Sequence, residues 1–166
     1  MRTDEVSLAA VQGECEIVVM RFFDAPREMV FDAWADPKQL VQWFGPDGFT
    51  TTVESFDLRE GGEWLQVMHG PDGTNYPSRA MFTEIQRPEV IAYFNRGGRD
   101  GQEDVEFQST VTFEEIGSEK TRLTIWMEFA STEERDKNVR NYGSIEGGRQ
   151  TLNRLATFLA KKGVAA

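Results

Sequence analysis

The sequence has little of the chemistry on which most catalytic and metal-binding sites depend. Its 166 residues include a single cysteine, Cys15, and a single histidine, His69. One cysteine cannot form an internal disulfide bond or a thiolate metal cage, and one histidine cannot supply a multi-histidine metal site. We therefore expect no disulfide framework, no metal site and no cofactor in this chain.

Basic side chains and long apolar stretches are scarce as well. Lys and Arg total 18 against 28 for Asp and Glu, so the formal net charge is −10. Nucleic acid is not an expected partner, because contacts with a phosphate backbone need clustered basic side chains. The longest apolar runs, such as Ile17–Met20 and Val90–Phe94, are far shorter than the ~20 residues of a membrane span. Membrane insertion is therefore not expected either.

The length of the chain suits one domain. We place this domain at residues 14–162, with a partly flexible extension at 1–13 and a short tail at 163–166. The extension contains Asp4 and Glu5 and lacks the continuous apolar region of a signal peptide. A cytoplasmic location is the expectation that follows.

Local patterns predict a strand, two short helices and a series of further strands. The segment Glu14–Phe23 is rich in β-branched and aromatic residues, as strands are. Two helix starts follow, at Asp24-Ala25-Pro26 and at Asp36-Pro37, where a proline occupies the first turn. Beyond them, alternating apolar and polar residues indicate strands. The predicted strands are 49–58, 63–69, 80–86, 89–95, 104–114 and 123–129.

A long helix is predicted to begin at Ser131 and to cover the rest of the domain. Ser131 and Glu134 form a capping box, and apolar residues recur beyond them at helical spacing. Gly143, Gly147 and Gly148 lie inside this helix, where each costs about 1 kcal/mol relative to alanine. Such glycines suggest that the helix approaches the sheet closely or bends.

The order of these elements predicts an α+β fold. An antiparallel sheet of about six to seven strands needs a cover for its apolar face, and the long C-terminal helix is the obvious one. A strongly curved sheet around one helix leaves space between the two. That space is the first indication of a binding function.

Several motifs follow one another along residues 14–161. The first reads APREMVFDAWADPKQLVQW at 25–43. The others are GGEW at 61–64, MHGPDG at 68–73, FTEI at 82–85, TVTF at 110–113 and YGSIEGGRQTL at 142–152. In this order and spacing they resemble the START-like (SRPBCC) superfamily, and within it the branch named after the activator of heat-shock-protein-90 ATPase. The resemblance implies a helix-grip fold, in which a curved antiparallel sheet surrounds a long C-terminal helix and a pocket.

One set of candidate pocket residues comes from the predicted strands and from the second short helix. Trp64, Gln66 and Met68 alternate along one strand and therefore share a face. Large side chains on such a face either pack in the core or line a cavity, and the sequence leaves both interpretations open. An inward Gln66 would need partners, as a member of a polar network or as a ligand contact. Trp34, by contrast, is interpreted as a core residue.

A second set of candidates lies on the last helix. Tyr142, Glu146 and Arg149 are spaced so that they occupy related faces. They either orient the polar group of a ligand, or Glu146 and Arg149 simply pair at the helix edge. The full set of candidate ligand-binding residues is Trp43, Phe44, Trp64, Gln66, Met68, Phe107, Met127, Tyr142, Glu146 and Arg149.

Three hypotheses about function follow. The leading one is a non-enzymatic domain that encloses a small hydrophobic molecule. The second, a module that partners a chaperone, is implied by the resemblance alone. The third is a cyclase or hydrolase that uses His69 or a carboxylate in the pocket as acid or base, although His69 could equally form local hydrogen bonds beside a turn. No catalytic residue is assigned, and a homodimer is possible because sheet edges can pair.

Overall fold

A computed structural model describes residues 7–98, 101 and 104–165, in which the chain forms eight strands and four helices. The strands are β1 (Ser7–Gln12), β2 (Glu16–Phe23), β3 (Thr50–Phe56), β4 (Glu63–His69), β5 (Asn75–Gln86), β6 (Val90–Gly97), β7 (Val105–Gly117) and β8 (Lys120–Glu128). The helices are α1 (Arg27–Ala35), α2 (Pro37–Leu40), α3 (Thr132–Tyr142) and α4 (Ser144–Ala165). Among the described residues, no helix has the length and apolar character needed to cross a membrane.

The strands form one antiparallel sheet in the order β1-β2-β8-β7-β6-β5-β4-β3. The predicted α+β architecture with a covering C-terminal helix is confirmed, and the strand number of eight slightly exceeds the prediction. The additional strand is β1, which pairs with β2 from Ser7 opposite Arg21 to Gln12 opposite Glu16. The sheet therefore begins ahead of the predicted boundary at residue 14, while residues 1–6 of the predicted extension lie outside the described residues.

Irregular pairing bends the sheet. The register shifts between Val53 and Ser55 in β3, and between Phe82 and Glu84 in β5. A bulge of this kind inserts one unpaired residue and increases the local bend and twist of a strand. The resulting curvature gives the sheet a concave inner face on which α1 and α4 lie.

The hydrophobic core fills the space between this inner face and the helices. The predicted alternation in β7 is confirmed, since Val105, Ser109, Val111 and Phe113 are all buried. Phe113 meets Phe31 of α1 edge to face, with ring centroids 5.1 Å apart. Three leucines of α4 complete the core, namely Leu152, Leu155 and Leu159.

The predicted single C-terminal helix is in fact two helices. The Ser131 hydroxyl accepts the amide of Glu134 at 3.1 Å, so the predicted cap is confirmed as the start of α3. Gly143 then ends α3 with φ of 56° and ψ of 41°, a left-handed conformation that glycine adopts easily. The helical periodicity continues across this break, which is why the sequence did not reveal it. At the other end, α4 continues to Ala165 and includes most of the predicted tail, whose last residue lies outside the described part.

Candidate ligand-binding pocket

A pocket of about 240 Å³ lies between the inner face of the sheet and the first turns of α4. Strands β4 to β8 form one wall, and the loop after α2 together with α3 and α4 forms the other. Because strand side chains alternate between faces, every second residue of β4 reaches the pocket, namely Trp64, Gln66 and Met68.

Two glycines of α4 line the pocket. A methyl group added at Gly147 would meet only Pro46, at 3.5 Å, and one added at Gly148 would lie 2.8 Å from Cγ2 of Val19. The helix therefore approaches β2 at Gly148 and presents backbone to the pocket at Gly147. Of the two explanations predicted for the glycines of this helix, a close approach to the sheet is confirmed at Gly148.

Aromatic rings make up much of the pocket wall, and Trp64 is at their centre. The Trp64 ring lies 5.1 Å from Tyr93 and 5.6 Å from Phe44, both edge to face, and it stacks on Phe82 at 5.9 Å. Its indole Nε1 donates a hydrogen bond to Oε1 of Gln66 at 2.9 Å. Packing and hydrogen bonding together fix the orientation of this side chain.

The described residues that line the pocket bring no formal charge to it, since none of them is an Asp, Glu, Lys, Arg or His. Tyr93 is an ionisable member of the lining, and burial raises its pKa to about 12, with the Ser109 hydroxyl acting in the opposite direction. The Tyr93 phenol is therefore neutral at physiological pH.

Most of the candidate ligand-binding residues meet at the pocket. Those that line it are Phe44, Trp64, Gln66, Met68, Phe107, Met127 and Tyr142. Trp43 is not among them; it lies fully within the core, where its Nε1 donates to the backbone carbonyl of Ala33 at 3.1 Å. Glu146 and Arg149 are exposed and form an ion pair of 3.6 Å at the helix edge, which is the alternative left open above. Their side of α4 is opposite to the side that presents Gly147 and Gly148.

Several lining residues were not among the candidates. Trp34 was interpreted as core, and it is both buried and part of the pocket wall. Tyr76 and Ser78 were missed because the predicted strand began at residue 80, whereas β5 begins at Asn75. Pro77 made this start difficult to predict, since proline is uncommon inside strands. A signal that could have revealed the start of β5 is the alternation of its inward-facing residues, which are Tyr76, Ser78, Ala80 and Phe82.

His69 lies outside the pocket. It follows Met68 in β4 and so points to the opposite, outer face of the sheet. There its Nε2 is 2.9 Å from Oγ1 of Thr52, and its Nδ1 is 2.9 Å from Oδ1 of Asn75. His69 therefore takes part in local hydrogen bonds on the outer face, which is the second of the two interpretations given for it. Within residues 7–98, 101 and 104–165, no cluster of His, Cys, Asp or Glu is suited to hold a metal ion.

Comparison with solved structures finds the same fold in bacterial proteins. A solution structure of a protein from Arthrobacter aurescens is 28% identical, covers 89% of this chain and 87% of its own, and superposes with a TM-score of 0.80. A crystal structure of a protein from Mycobacterium smegmatis is 27% identical, covers 92% of this chain and 99% of its own, and has a TM-score of 0.79. A solution structure of a protein from Staphylococcus epidermidis is 26% identical, covers 93% of this chain and 95% of its own, and has a TM-score of 0.76.

No curated protein matches the chain. A family model does, that of the "Activator of Hsp90 ATPase homolog 1-like protein", and the match extends over residues 24–160. The resemblance identified from the motifs is thereby confirmed, and it agrees with the START-like fold of the structure. The chain belongs to the family of Activator of Hsp90 ATPase homolog 1-like proteins.

Proposed function

We propose that this domain binds a small apolar molecule in the pocket between its sheet and α4. The observation that carries the proposal is a space of about 240 Å³ that is walled by aromatic and methionine side chains and whose described lining residues carry no charge. Protein interiors pack densely and leave few voids larger than a water molecule, so a space of this size is more than core packing normally leaves and favours a binding role. Walls of aromatic and aliphatic groups favour an apolar one, because its transfer from water is favourable.

The size of the pocket limits the occupant. An engineered apolar cavity of about 150 Å³ holds one benzene molecule. By proportion, a pocket of about 240 Å³ suits a molecule of about ten non-hydrogen atoms. A compact bicyclic compound such as indane fits this range, whereas a sterol or a diacyl lipid would require the pocket to widen.

The residues of the pocket give less support to the other two hypotheses, a chaperone-partner module and an enzyme. The name of the family refers to activation of the Hsp90 ATPase, and this makes a chaperone a second proposed partner. A pull-down with the cognate Hsp90 and an ATPase assay would test this partner.

An enzyme acting on the bound molecule would need an acid, a base or a nucleophile in the pocket. The described lining offers only neutral hydroxyl, amide and indole groups besides its apolar side chains.

A thermal-shift experiment with indane tests the binding proposal. A ligand that binds only the folded state raises the unfolding temperature, by a few degrees when it is present well above its Kd. We expect this shift for the unaltered chain and its loss in Val105→Phe, because Val105 lines the pocket and a phenyl ring would fill it. Val11→Phe is the matched control, since Val11 lies on β1 and is 48% exposed.

Native mass spectrometry after gentle purification gives independent evidence. A co-purified small molecule in the unaltered chain, absent from Val105→Phe and present in Val11→Phe, would support the proposal. An unaltered chain that carries no small molecule and gains no thermal stability from indane would contradict it.

A further inference from the structure

We propose that the ligand of this pocket carries an uncharged amide edge, meaning an N–H and a C=O side by side, which pairs with the side-chain amide of Asn138. The inference rests on the proposed function and specifies the polar chemistry of the ligand. It depends on three observations. The Asn138 amide is buried and unpaired, a molecule in the pocket can reach it, and the other amides of the lining are less suited to this pairing.

Helix α3 places Asn138 at the pocket. Arg135, Asn138 and Tyr142 follow one another at intervals of three and four residues, so they lie along one face of the helix. Arg135 is buried, and its Nη1 donates to the backbone carbonyl of Glu16 at 3.0 Å, which holds this face against β2. Asn138 and Tyr142 both line the pocket. The packing of α3 against β2 therefore sets where the Asn138 side chain reaches the pocket.

The side-chain amide of Asn138 has no hydrogen-bond partner in the described part of the chain, although the residue is only 7% exposed. An amide offers one acceptor oxygen and two N–H donors. Buried polar groups in folded proteins nearly always have partners. An amide that lines a pocket with both its donors and its acceptor unpaired therefore points to a ligand that supplies the missing groups.

The Asn138 amide differs from the sealed polar atoms of the pocket wall. Nε1 of Trp34 and Oγ of Ser144 also lack partners among the described residues, but these atoms have no surface that a ligand could touch. Within the described chain, sealed and unpaired side-chain atoms occur only in Arg27, Trp34, Ser109 and Ser144. The oxygen and nitrogen of the Asn138 amide are therefore open to a molecule in the pocket.

Two further amides line the pocket, and neither suits an amide edge as well. Oε1 of Gln66 already accepts from Nε1 of Trp64 at 2.9 Å, so only the N–H groups of Gln66 remain for a ligand. Asn95 is partly exposed, so water can pair with its amide. Asn138 is thus the amide of the described lining that is buried and can both donate to a ligand and accept from it.

An amide edge is the group that pairs with both parts of a side-chain amide. Its C=O accepts from the N–H of Asn138 while its N–H donates to the Asn138 oxygen, just as asparagine binds the adjacent acceptor and donor of adenine. A lone carbonyl or a lone N–H would leave half of the Asn138 amide unpaired.

Charge and shape narrow the ligand further. A charged group is disfavoured, because the described lining contains no Asp, Glu, Lys, Arg or His to offset its desolvation. An amide within a small ring is uncharged and holds its N–H and C=O on the same side. A compact apolar body with one cyclic amide therefore matches the walls and Asn138 together.

Four probes with one bicyclic frame test this inference. Indane has no polar group, 2-indanone adds a C=O, indoline replaces a CH2 group with N–H, and oxindole carries the N–H and the C=O side by side. A ¹H–¹⁵N NMR titration of the full chain yields each Kd and monitors the side-chain N–H signals of Asn138. We expect oxindole to bind about tenfold more tightly than indane, and 2-indanone and indoline to bind severalfold more weakly than oxindole.

The order of affinities discriminates between pairing and simple apolar burial. Indane is the least polar of the four probes, so a pocket that offers only apolar contact should bind it most tightly. The Asn138 side-chain N–H signal should move downfield with oxindole and stay in place with indane. A charged analogue, indane-2-carboxylate, should bind more weakly than oxindole.

Matched substitutions on one helix test the assignment to Asn138. Asn138→Leu replaces the amide with an apolar group of similar size, so it should abolish the preference for oxindole over indane. Continued binding of indane would show that this variant is folded. Asn141→Leu is the control, because Asn141 lies one turn further along α3 and is exposed, and its preference should be unchanged. Asn95→Leu should lower the preference less than twofold.

The outcomes separate the failure of this inference from the failure of the proposed function. If indane, 2-indanone, indoline or the carboxylate binds as tightly as oxindole, the amide-edge inference is overturned and the apolar pocket remains. If the preference survives Asn138→Leu, or is lost in Asn95→Leu, the assignment of Asn138 is overturned. Should Asn138→Leu fail to fold, the unaltered chain decides, since Asn138 signals that do not shift with oxindole would overturn the assignment. If no probe binds, the proposed function fails and this inference fails with it.

Discussion

Gly148 of α4 faces Val19 of β2 so closely that a methyl group on its α-carbon would lie 2.8 Å from Cγ2 of Val19. Val19 is almost fully buried, and its branched side chain has few alternative rotamers. The contact sets how near the helix can lie to the sheet, and so it bounds the pocket on one side. Gly147, one residue earlier, has open space towards the pocket instead.

Alanine substitutions at these two glycines should have opposite effects on stability. Gly148→Ala forces an extra methyl group against Val19 and should lower the free energy of unfolding by about 1–3 kcal/mol. Gly147→Ala meets only Pro46, at an ordinary 3.5 Å, and should stabilise the helix by up to about 1 kcal/mol. Urea denaturation of the two variants measures both changes. Equal effects would contradict the close approach of α4 to β2.

The hydrogen bond between Trp64 and Gln66 should contribute measurably to stability. Gln66→Leu leaves the buried indole N–H of Trp64 unpaired, and we expect a loss of about 1–3 kcal/mol in the free energy of unfolding. A double-mutant cycle with Trp64→Phe should give a coupling energy of about 1 kcal/mol. Gln108→Leu is the control: Gln108 donates to Oγ1 of Thr83 at 3.0 Å, but this hydrogen bond is exposed to water, so its loss should change stability by less than about 0.5 kcal/mol. A coupling energy near zero would mean that the hydrogen bond does not contribute.

His69 should be dispensable for ligand binding. Its ring contacts Thr52 and Asn75 on the outer face of the sheet, away from the pocket. We therefore expect His69→Gln to bind indane with an affinity within about twofold of the unaltered chain, an energy change below about 0.5 kcal/mol. A thermal-shift titration with indane checks this expectation, with Val105→Phe as the variant that should lose binding. A large loss of affinity in His69→Gln would restore the hypothesis in which this histidine acts on the ligand.

Much of the fold could be predicted from the sequence because its signals are local. The alternation in β7, the cap at Ser131 and the glycine contacts of α4 each depend on residues that are near in the chain or on side-chain size. The strand β1 was missed because its short, partly polar sequence becomes a strand only through pairing with β2. The break at Gly143 was missed because the spacing of apolar residues carries no information about a change of backbone conformation at a single glycine.

The pocket was harder to predict because its residues come from distant parts of the chain. Strand alternation correctly grouped Trp64, Gln66 and Met68 on one face, since that relation is local. The inward face of α4 depends instead on where Gly148 meets Val19, and helical spacing alone could not exclude Glu146 and Arg149 from it. Whether Trp34 has a partner for its indole N–H depends on every neighbouring element and is visible only in the structure.

Burial of Tyr93 should make stability depend on pH in the alkaline range. Burial raises the Tyr93 pKa from about 10 to about 12 in the folded state. The unfolded chain therefore releases this proton first, and the stability that the neutral phenol contributes is complete below about pH 10 and is lost as pH rises towards 12. The difference corresponds to about 2–3 kcal/mol for two pKa units.

The variant Tyr93→Phe isolates this contribution from those of other groups that titrate in the same range. Between pH 9 and about pH 12, the free energy of unfolding should fall more steeply in the unaltered chain than in the variant, because only the former loses the protonated phenol. Phenolate absorbance should also show that one tyrosine of the folded chain stays protonated until about pH 12. This late titration step should be missing in Tyr93→Phe. Parallel pH profiles for the two proteins would mean that Tyr93 is accessible to water and that the sheet wall of the pocket is more open than the packing around Trp64 indicates.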